Sequence, residues 1–178
     1  MNNQIRQSIW SVADVVRKAL CLPTPMCLDD LFNAIGSLGG ECISVEDNDS
    51  LDFEARITAI NSSDLDCKFK IEYVKDKPDT RILFSIAHEL GHLFLHLLQQ
   101  DGTFKTDIPL HRSSNSSYLE LEANEFAAAL LMPAEKFVSA CQEYASKNSN
   151  QVNIEIIADY FNVSNQAATV RGSILQIW

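Results

Sequence analysis

One predicted helix, which carries two histidines four residues apart, constrains the fold of this chain more than any other feature. Within the helix predicted at Thr80–Gln99, the motif His88-Glu89-Leu90-Gly91-His92 places both imidazoles on one face, about 6 Å apart. Two imidazoles at that spacing can each bring a nitrogen to about 2.0–2.1 Å from one zinc ion. Glu89 is turned about 100° away, so its carboxylate can reach a zinc-activated water without binding the metal. We predict that Glu89 is the general base; the alternative is that the two histidines are structural or exposed.

A catalytic zinc of this type needs a third protein ligand and an open fourth position. A histidine six residues beyond the motif would fall at position 98, which is occupied by Leu98. His96 lies on the correct face but about 12 Å from His88 by helix rise, so one metal cannot bind both. We interpret His96 as structural or as a support for a ligand. The other source of a ligand is the helix predicted at Tyr118–Met132.

Glu120 is the ligand that this later helix offers. Glu120 and Asn124 are four residues apart and share a face, so Glu120 can bind zinc while Asn124 holds a histidine ring. Glu122 is the main competitor for the ligand role, although we expect Glu122 and Glu125 to point elsewhere, into solvent. Gly91 costs about 1 kcal/mol relative to alanine inside a helix. We expect this glycine where a second helix approaches closely enough to deliver Glu120.

The remaining pattern predicts an α+β domain. We expect a small antiparallel sheet of about three strands, packed with the active-site helix and several further helices. The predicted helices are 3–20, Leu28–Leu38, Thr80–Gln99, Tyr118–Met132, Ala134–Ser146, 153–161 and 164–176, and the predicted strands are Cys42–Glu46, Glu54–Ile60 and Lys68–Val74. A length of 178 residues suits a single domain, 1–178. Its parts would be N-terminal helices (about 1–40), a sheet and zinc-site core (41–133) and C-terminal helices (134–178).

Composition and charge limit the classes of function. Histidines and a glutamate interrupt the longest apolar stretch, Ile82–Leu98, which excludes a membrane span there. Residues 1–22 lack the apolar core of a signal peptide, so we expect a cytoplasmic protein with no membrane partner. The five cysteines form no C-x-x-C pair, which disfavours a disulfide framework or a cysteine zinc site. A net charge of −10 disfavours a broad electrostatic grip on nucleic acid.

Weaker candidates surround the predicted site. We predict that His111, in the polar loop after the active-site helix, is a catalytic group that stabilises the oxyanion, with Tyr118 and Tyr73 as rivals. The alternative is an exposed loop histidine. If Lys68–Val74 is the sheet edge, it could pair with an extended substrate. Cys67 could cap the open zinc position, although an inert thiol is the simpler interpretation.

The C-terminal segment 157–171 resembles the first two helices of a helix-turn-helix. To read DNA, its second helix would need donors and cations, and it offers only Asn165, Gln166 and Arg171. We therefore interpret this segment as an element for packing or for docking a partner.

Two motifs, considered together, are specific enough to indicate a family. The first is Arg81-x-x-Phe84-x-x-Ala87-His88-Glu89-Leu90-Gly91-His92, and the second is Glu120-x-x-Ala123-Asn124-x-Phe126-Ala127, followed by Leu130-Leu131-Met132-Pro133. Over most of the chain, this combination resembles the ImmA/IrrE family of metallo-endopeptidases. The resemblance implies a zincin-type active-site helix, zinc ligands at His88, His92 and Glu120, and a catalytic Glu89. Asn124 stands where many related glutamate-zincins have an aspartate, so we expect weak or conditional activity.

The resemblance also implies a substrate. Members of the family typically lie beside a helix-turn-helix repressor and cleave it after DNA damage or another signal, which releases mobile-element, stress or defence genes. We therefore expect a zinc-dependent endopeptidase that acts on such a repressor, with a nucleic acid as a candidate activator. The alternatives are a non-proteolytic zinc-containing sensor or toxin–antitoxin type partner, and a DNA-binding regulator, which the net charge disfavours.

Overall fold

The computed structural model describes residues 1–47, 51–60, 68–98, 116–145 and 152–178, and every structural statement below concerns these parts of the chain. Helices and one small sheet confirm the predicted α+β class. In chain order the elements are α1 (Asn3–Ala19), α2 (Leu28–Ser37), β1 (Gly40–Val45), β2 (Ala55–Ala59), β3 (Phe69–Val74), α3 (Asp79–His92), a π-helical turn (Leu93–Leu97), α4 (Ser116–Leu131), α5 (Ala134–Glu143), α6 (Ile154–Phe161) and α7 (Asn165–Ile174). Among the described helices, none combines the length and apolar character needed to cross a membrane.

The sheet is mixed rather than antiparallel, and its strand order is β1-β3-β2. β1 runs parallel to β3, while β2 runs antiparallel to it. The expectation of a purely antiparallel sheet was therefore wrong, and so was the suggestion that residues 68–74 form an edge. Alternation of apolar and polar residues in β3 reports which face is buried, with Phe69 and Ile71 inside, but it carries no information about neighbouring strands.

Two helices, α3 and α4, pack against each other more extensively than any other pair of described elements. α3 packs against the sheet and against α4, and α4 in turn packs against α1. Ala123, Phe126, Ala127 and Leu130 of α4 are fully buried in these contacts. Any side chain that projects from α3 towards α4 is thereby held by two packed helices.

α3 ends sooner than its sequence predicts. The helix expected to continue to Gln99 is α-helical only to His92, and a π-helical turn, Leu93–Leu97, follows. The amide of Leu98 donates to the carbonyl of Leu93, five residues earlier, at 2.8 Å. Single π-turns of this kind frequently occur at functional sites, and this one follows directly after His92.

The C-terminal helices pack onto the rest of the domain through a buried cation. Arg171 of α7 is only 1% exposed; its Nε donates to the carbonyl of Met132 at 3.0 Å, and its guanidinium lies over the Trp10 ring. Nη1 of Arg171 lies 3.5 Å from Oε1 of Glu125, a carboxylate that also contacts Arg6 and Trp10. The prediction that Glu125 is solvated was wrong, because it is the shared acceptor of this buried cluster. Arg171 faces inwards, which is consistent with a packing role for α7.

Candidate metal centre

Three side chains from α3 and α4 converge on one point. Nε2 of His88 and Nε2 of His92 lie 3.0 Å apart. The two carboxylate oxygens of Glu120 lie 3.1 Å from His88 Nε2 and 3.4 Å from His92 Nε2. One ligand atom from each residue lies within 4.8 Å of the others, so the three could hold a metal ion together. The structure thus brings together the three residues that the sequence predicted as ligands.

The close approach of α4 to α3 delivers Glu120. A Cβ atom placed on Gly91 would lie 2.9 Å from Cα and 3.0 Å from the carbonyl oxygen of Ala123, distances at which a side chain would force the two helices to shift. The absence of a side chain at Gly91 therefore permits this helix contact, as its position in the motif suggested. Ala123 lies between Glu120 and Asn124 in the sequence, so the contact supports the segment of α4 that faces the histidines.

A hydrogen bond orients the first imidazole. Nδ1 of His88 lies 3.0 Å from Oδ1 of Asn124. If Nδ1–H donates to this amide oxygen, the neutral ring keeps its Nε2 lone pair for the metal. The predicted role of Asn124 in holding a histidine ring is what this geometry allows.

The second imidazole has a different support. Nδ1 of His92 lies 3.1 Å from Nδ1 of His96, and Nε2 of His96 lies 3.1 Å from Oε2 of Glu122. His92 and His96 are both buried. Glu122, considered as a rival ligand, therefore contacts His96 rather than the Nε2 pair, and it is not simply solvated.

Glu89 lies beside this cluster with its carboxylate buried. Its Oε2 accepts a hydrogen bond from the backbone N–H of Ile57 in β2 at 2.9 Å. Burial raises the pKa of Glu89 to about 7, helped by the charge of Glu120 and opposed by the Ile57 hydrogen bond. A metal cation held by the neighbouring ligands would lower this pKa again, because it favours the carboxylate. The catalytic role of Glu89 stays a prediction.

A cleft of about 370 Å³ lies over the cluster, between β2 and α3. Its lining combines the three candidate ligands and Glu89 with Ala55 and Ile57 of β2 and with Phe84 of α3. Neither Tyr73 nor Tyr118 is among the residues that line it; Tyr73 instead stacks on Phe32. His111 and Cys67 lie outside the described residues, so their predicted roles stay untested.

β2, rather than residues 68–74, presents one edge to the cleft. Val74 N donates to Glu54 O at 2.9 Å and Ile60 N to Lys68 O at 2.8 Å, so even-numbered residues of this segment bond to β3. In an antiparallel pair the intervening residues turn their N–H and C=O groups the other way. Ala55 and Ile57 therefore direct theirs away from β3, and the Ile57 bond to Glu89 shows that this direction leads to the site.

The donor set, two imidazole nitrogens and a carboxylate oxygen, is one that catalytic zinc sites use. Comparison with protein families matches residues 51–173 to Peptidase_M78, the IrrE N-terminal-like domain. The chain belongs to this family. In this IrrE-like protein the match begins just before β2 and ends within α7, so it includes the cleft, the three candidate ligands and Glu89. A search of curated proteins finds no significant match. Family membership confirms the resemblance and gives the chain a metallopeptidase-type domain.

Proposed function

We propose that this IrrE-like protein is a cytoplasmic zinc-dependent endopeptidase that cleaves a helix-turn-helix repressor and so derepresses mobile-element, stress or defence genes. The observation that carries the catalytic part is the convergence of His88, His92 and Glu120 beside the buried carboxylate of Glu89. The repressor as substrate rests on the family resemblance.

His88, His92 and Glu120 would hold the zinc ion. Zinc, when bound there, supplies a Lewis acid that polarises the peptide carbonyl and activates a water. Glu89 would accept a proton from the water that attacks the peptide carbonyl and would return it to the leaving amine. Glu89 lies in the last turn of α3, and its carboxylate accepts a hydrogen bond from Ile57 of β2. The two elements together therefore fix the position of this carboxylate.

The outward edge of β2 offers a place for an extended substrate segment. Ala55 turns its N–H and C=O groups towards the cleft, and Ile57, whose N–H already donates to Glu89, turns its C=O group the same way. A peptide can add to such an edge as a further strand. Backbone pairing selects for an extended conformation but not for a sequence, so it favours a segment that can be drawn out of a folded partner. We therefore propose that β2, instead of residues 68–74, is the strand that pairs with the substrate.

Cleavage of the cognate repressor by matched variants tests the proposal. We expect the unmodified protein to make a single cut, mapped by mass spectrometry, with single-stranded DNA or extract from damaged cells present if an activator is required. Glu89→Gln should bind zinc and fold but lose about 10²–10⁴-fold in cleavage rate, because only the base is removed. Glu143→Gln, an exposed substitution on α5, is the control and should cut normally.

Two other outcomes would redirect the assignment. Undiminished repressor release by Glu89→Gln would contradict a peptidase and favour a non-proteolytic zinc-containing sensor or toxin–antitoxin type partner. Many cuts in unrelated proteins, such as casein, would favour a general peptidase over a repressor-specific one.

A further inference from the structure

We propose that His96 and Glu122 form a positioning relay that fixes His92 in the metal centre and supplies carboxylate support to the ligand set. The relay rests on the metal centre of the proposed function, but it does not depend on what the peptidase cuts. Neither residue is a ligand in this assignment, and each acts through His92.

Distance and burial define the relay. His92 Nδ1 and His96 Nδ1 lie 3.1 Å apart, and His96 Nε2 and Glu122 Oε2 also lie 3.1 Å apart. The side chains of His92 and His96 are 3% and 5% exposed, whereas that of Glu122 is 25% exposed. The chain thus runs from a nearly buried ligand, through a buried imidazole, to a carboxylate at the surface.

The two contacts are compatible with one arrangement of protons if Glu122 is ionised and His96 is neutral. Glu122, as a carboxylate, can only accept, so Nε2 of His96 carries the donated hydrogen. A neutral imidazole has one N–H, which makes Nδ1 of His96 an acceptor. His92 must then donate its own Nδ1–H to His96, and its Nε2 lone pair is left facing His88 Nε2 and Glu120. The relay therefore selects the tautomer of His92 that can bind a metal.

His96 lies within the π-helical turn. The widened turn begins at Leu93, directly after His92, so the two histidines are joined by backbone that is no longer regular α-helix. Their rings lie 5.2 Å apart between centroids and are tilted by 53°, which brings Nδ1 towards Nδ1. The local departure from α-helix thus coincides with the contact between His92 and His96 that orients a ligand.

The relay also supplies a carboxylate to His92, whereas the other histidine, His88, is supported by a neutral amide. His88 is held by the amide of Asn124, which orients the ring without adding charge. Carboxylates behind metal-bound histidines raise the basicity of the ligand, and their loss typically weakens metal binding by about 10–100-fold. In this site the carboxylate acts on His92, through His96, rather than on His88. α4 therefore carries both a ligand, Glu120, and the end of the relay, Glu122.

Zinc affinity of the purified protein tests the relay, measured by competition with a chromogenic chelator and with zinc alone as the probe. Glu122→Gln keeps the size of the side chain and removes its charge; His96→Phe keeps a buried ring and removes both nitrogens. We expect each to weaken zinc binding by about 10–100-fold, and the double variant to be no weaker than His96→Phe, because Glu122 acts through His96. Glu143→Gln is the matched control and should leave the affinity unchanged.

A purely structural role is separated by two further measurements. The metal-free unfolding midpoint of Glu122→Gln should match that of Glu143→Gln, and the visible absorption bands of its cobalt(II) form should shift. Wild-type zinc affinity in Glu122→Gln, or losses that add fully in the double variant, would overturn the relay. If His96→Phe does not fold, the zinc affinity of Glu122→Gln alone decides whether the relay exists. Because zinc affinity is measured without substrate, failure to cleave a repressor leaves this result unaffected.

Discussion

Gly91 of α3 lies directly against the backbone of Ala123 in α4. A Cβ at position 91 would come within 2.9 Å of Ala123 Cα and 3.3 Å of its Cβ. Backbone cannot retreat as the end of a flexible side chain can, so any larger residue must push the two helices apart. The same two helices carry all of the candidate ligands, so the distance between the helices sets the distances between these ligands.

Gly91→Ala should therefore destabilise the protein and weaken metal binding. Overpacking typically costs about 1–3 kcal/mol, which outweighs the gain of about 1 kcal/mol in helix propensity. Gly36→Ala in α2 is the matched control, because a Cβ there meets nothing within 4 Å and should stabilise the helix. Urea unfolding gives both free energies of unfolding, and chelator competition gives the zinc affinity. Stabilisation of both variants alike would show that α3 and α4 are not in close contact.

Metal content should identify the ligands. We expect one zinc per chain in the unmodified protein and loss of that zinc in His88→Ala, His92→Ala and Glu120→Ala, measured by elemental analysis. Glu122→Ala should still bind zinc at saturating concentration, although more weakly. Added zinc should raise the thermal midpoint of the unmodified protein, since a ligand that binds only the folded state stabilises it. The ligand assignment fails if Glu122→Ala loses zinc while Glu120→Ala retains it.

A proline in β2 should separate substrate binding from folding. Ala55→Pro removes a backbone N–H that points away from β3, so we expect the fold and zinc affinity to persist while KM for the repressor rises. Thr58→Pro removes an N–H on the side that bonds to β3 and should destabilise the sheet instead. Steady-state cleavage and circular dichroism distinguish the two. An unchanged KM in Ala55→Pro would argue against substrate pairing at this edge.

The buried Arg171–Glu125 pair should contribute strongly to stability. Arg171→Met leaves Glu125 with one fewer buried cation, and breaking such a pair typically costs about 3–5 kcal/mol. Lys136→Met, an exposed substitution on α5, is the control and should change the free energy of unfolding by less than about 0.5 kcal/mol. Chemical denaturation measures both. Equal stability of the two variants would indicate that Arg171 is not buried in solution.

Helical periodicity allowed the candidate metal ligands to be grouped from the sequence. Residues four apart share a face, so His88 with His92, and Glu120 with Asn124, could be paired from their spacing alone. Gly91 indicated the close helix contact on a separate ground. A glycine inside a helix lowers helix stability, and close packing of a second helix can offset that cost. The roles of these residues in catalysis follow from chemistry and depend on the cleavage and metal-content experiments.

Features that depend on distant partners were not predictable in this way. The order of strands in the sheet is set by which edges pair, and alternation along β3 cannot report that. Glu125 was expected in solvent because no local pattern shows that Arg6, Trp10 and Arg171 meet it from helices at opposite ends of the described chain. The π-turn was hidden as well, since an apolar run after His92 fits an α-helix equally well.

The contacts of Glu125 connect the residues matched to the family with a helix that lies outside the match. The match covers residues 51–173 and so excludes α1, which supplies Arg6 and Trp10. A fragment trimmed to the match would keep every candidate ligand, yet it would leave Glu125, the neighbour of Asn124 in α4, without two of its partners. Deletion of α1, far from the histidines in sequence, would therefore remove contacts to the helix that carries Glu120.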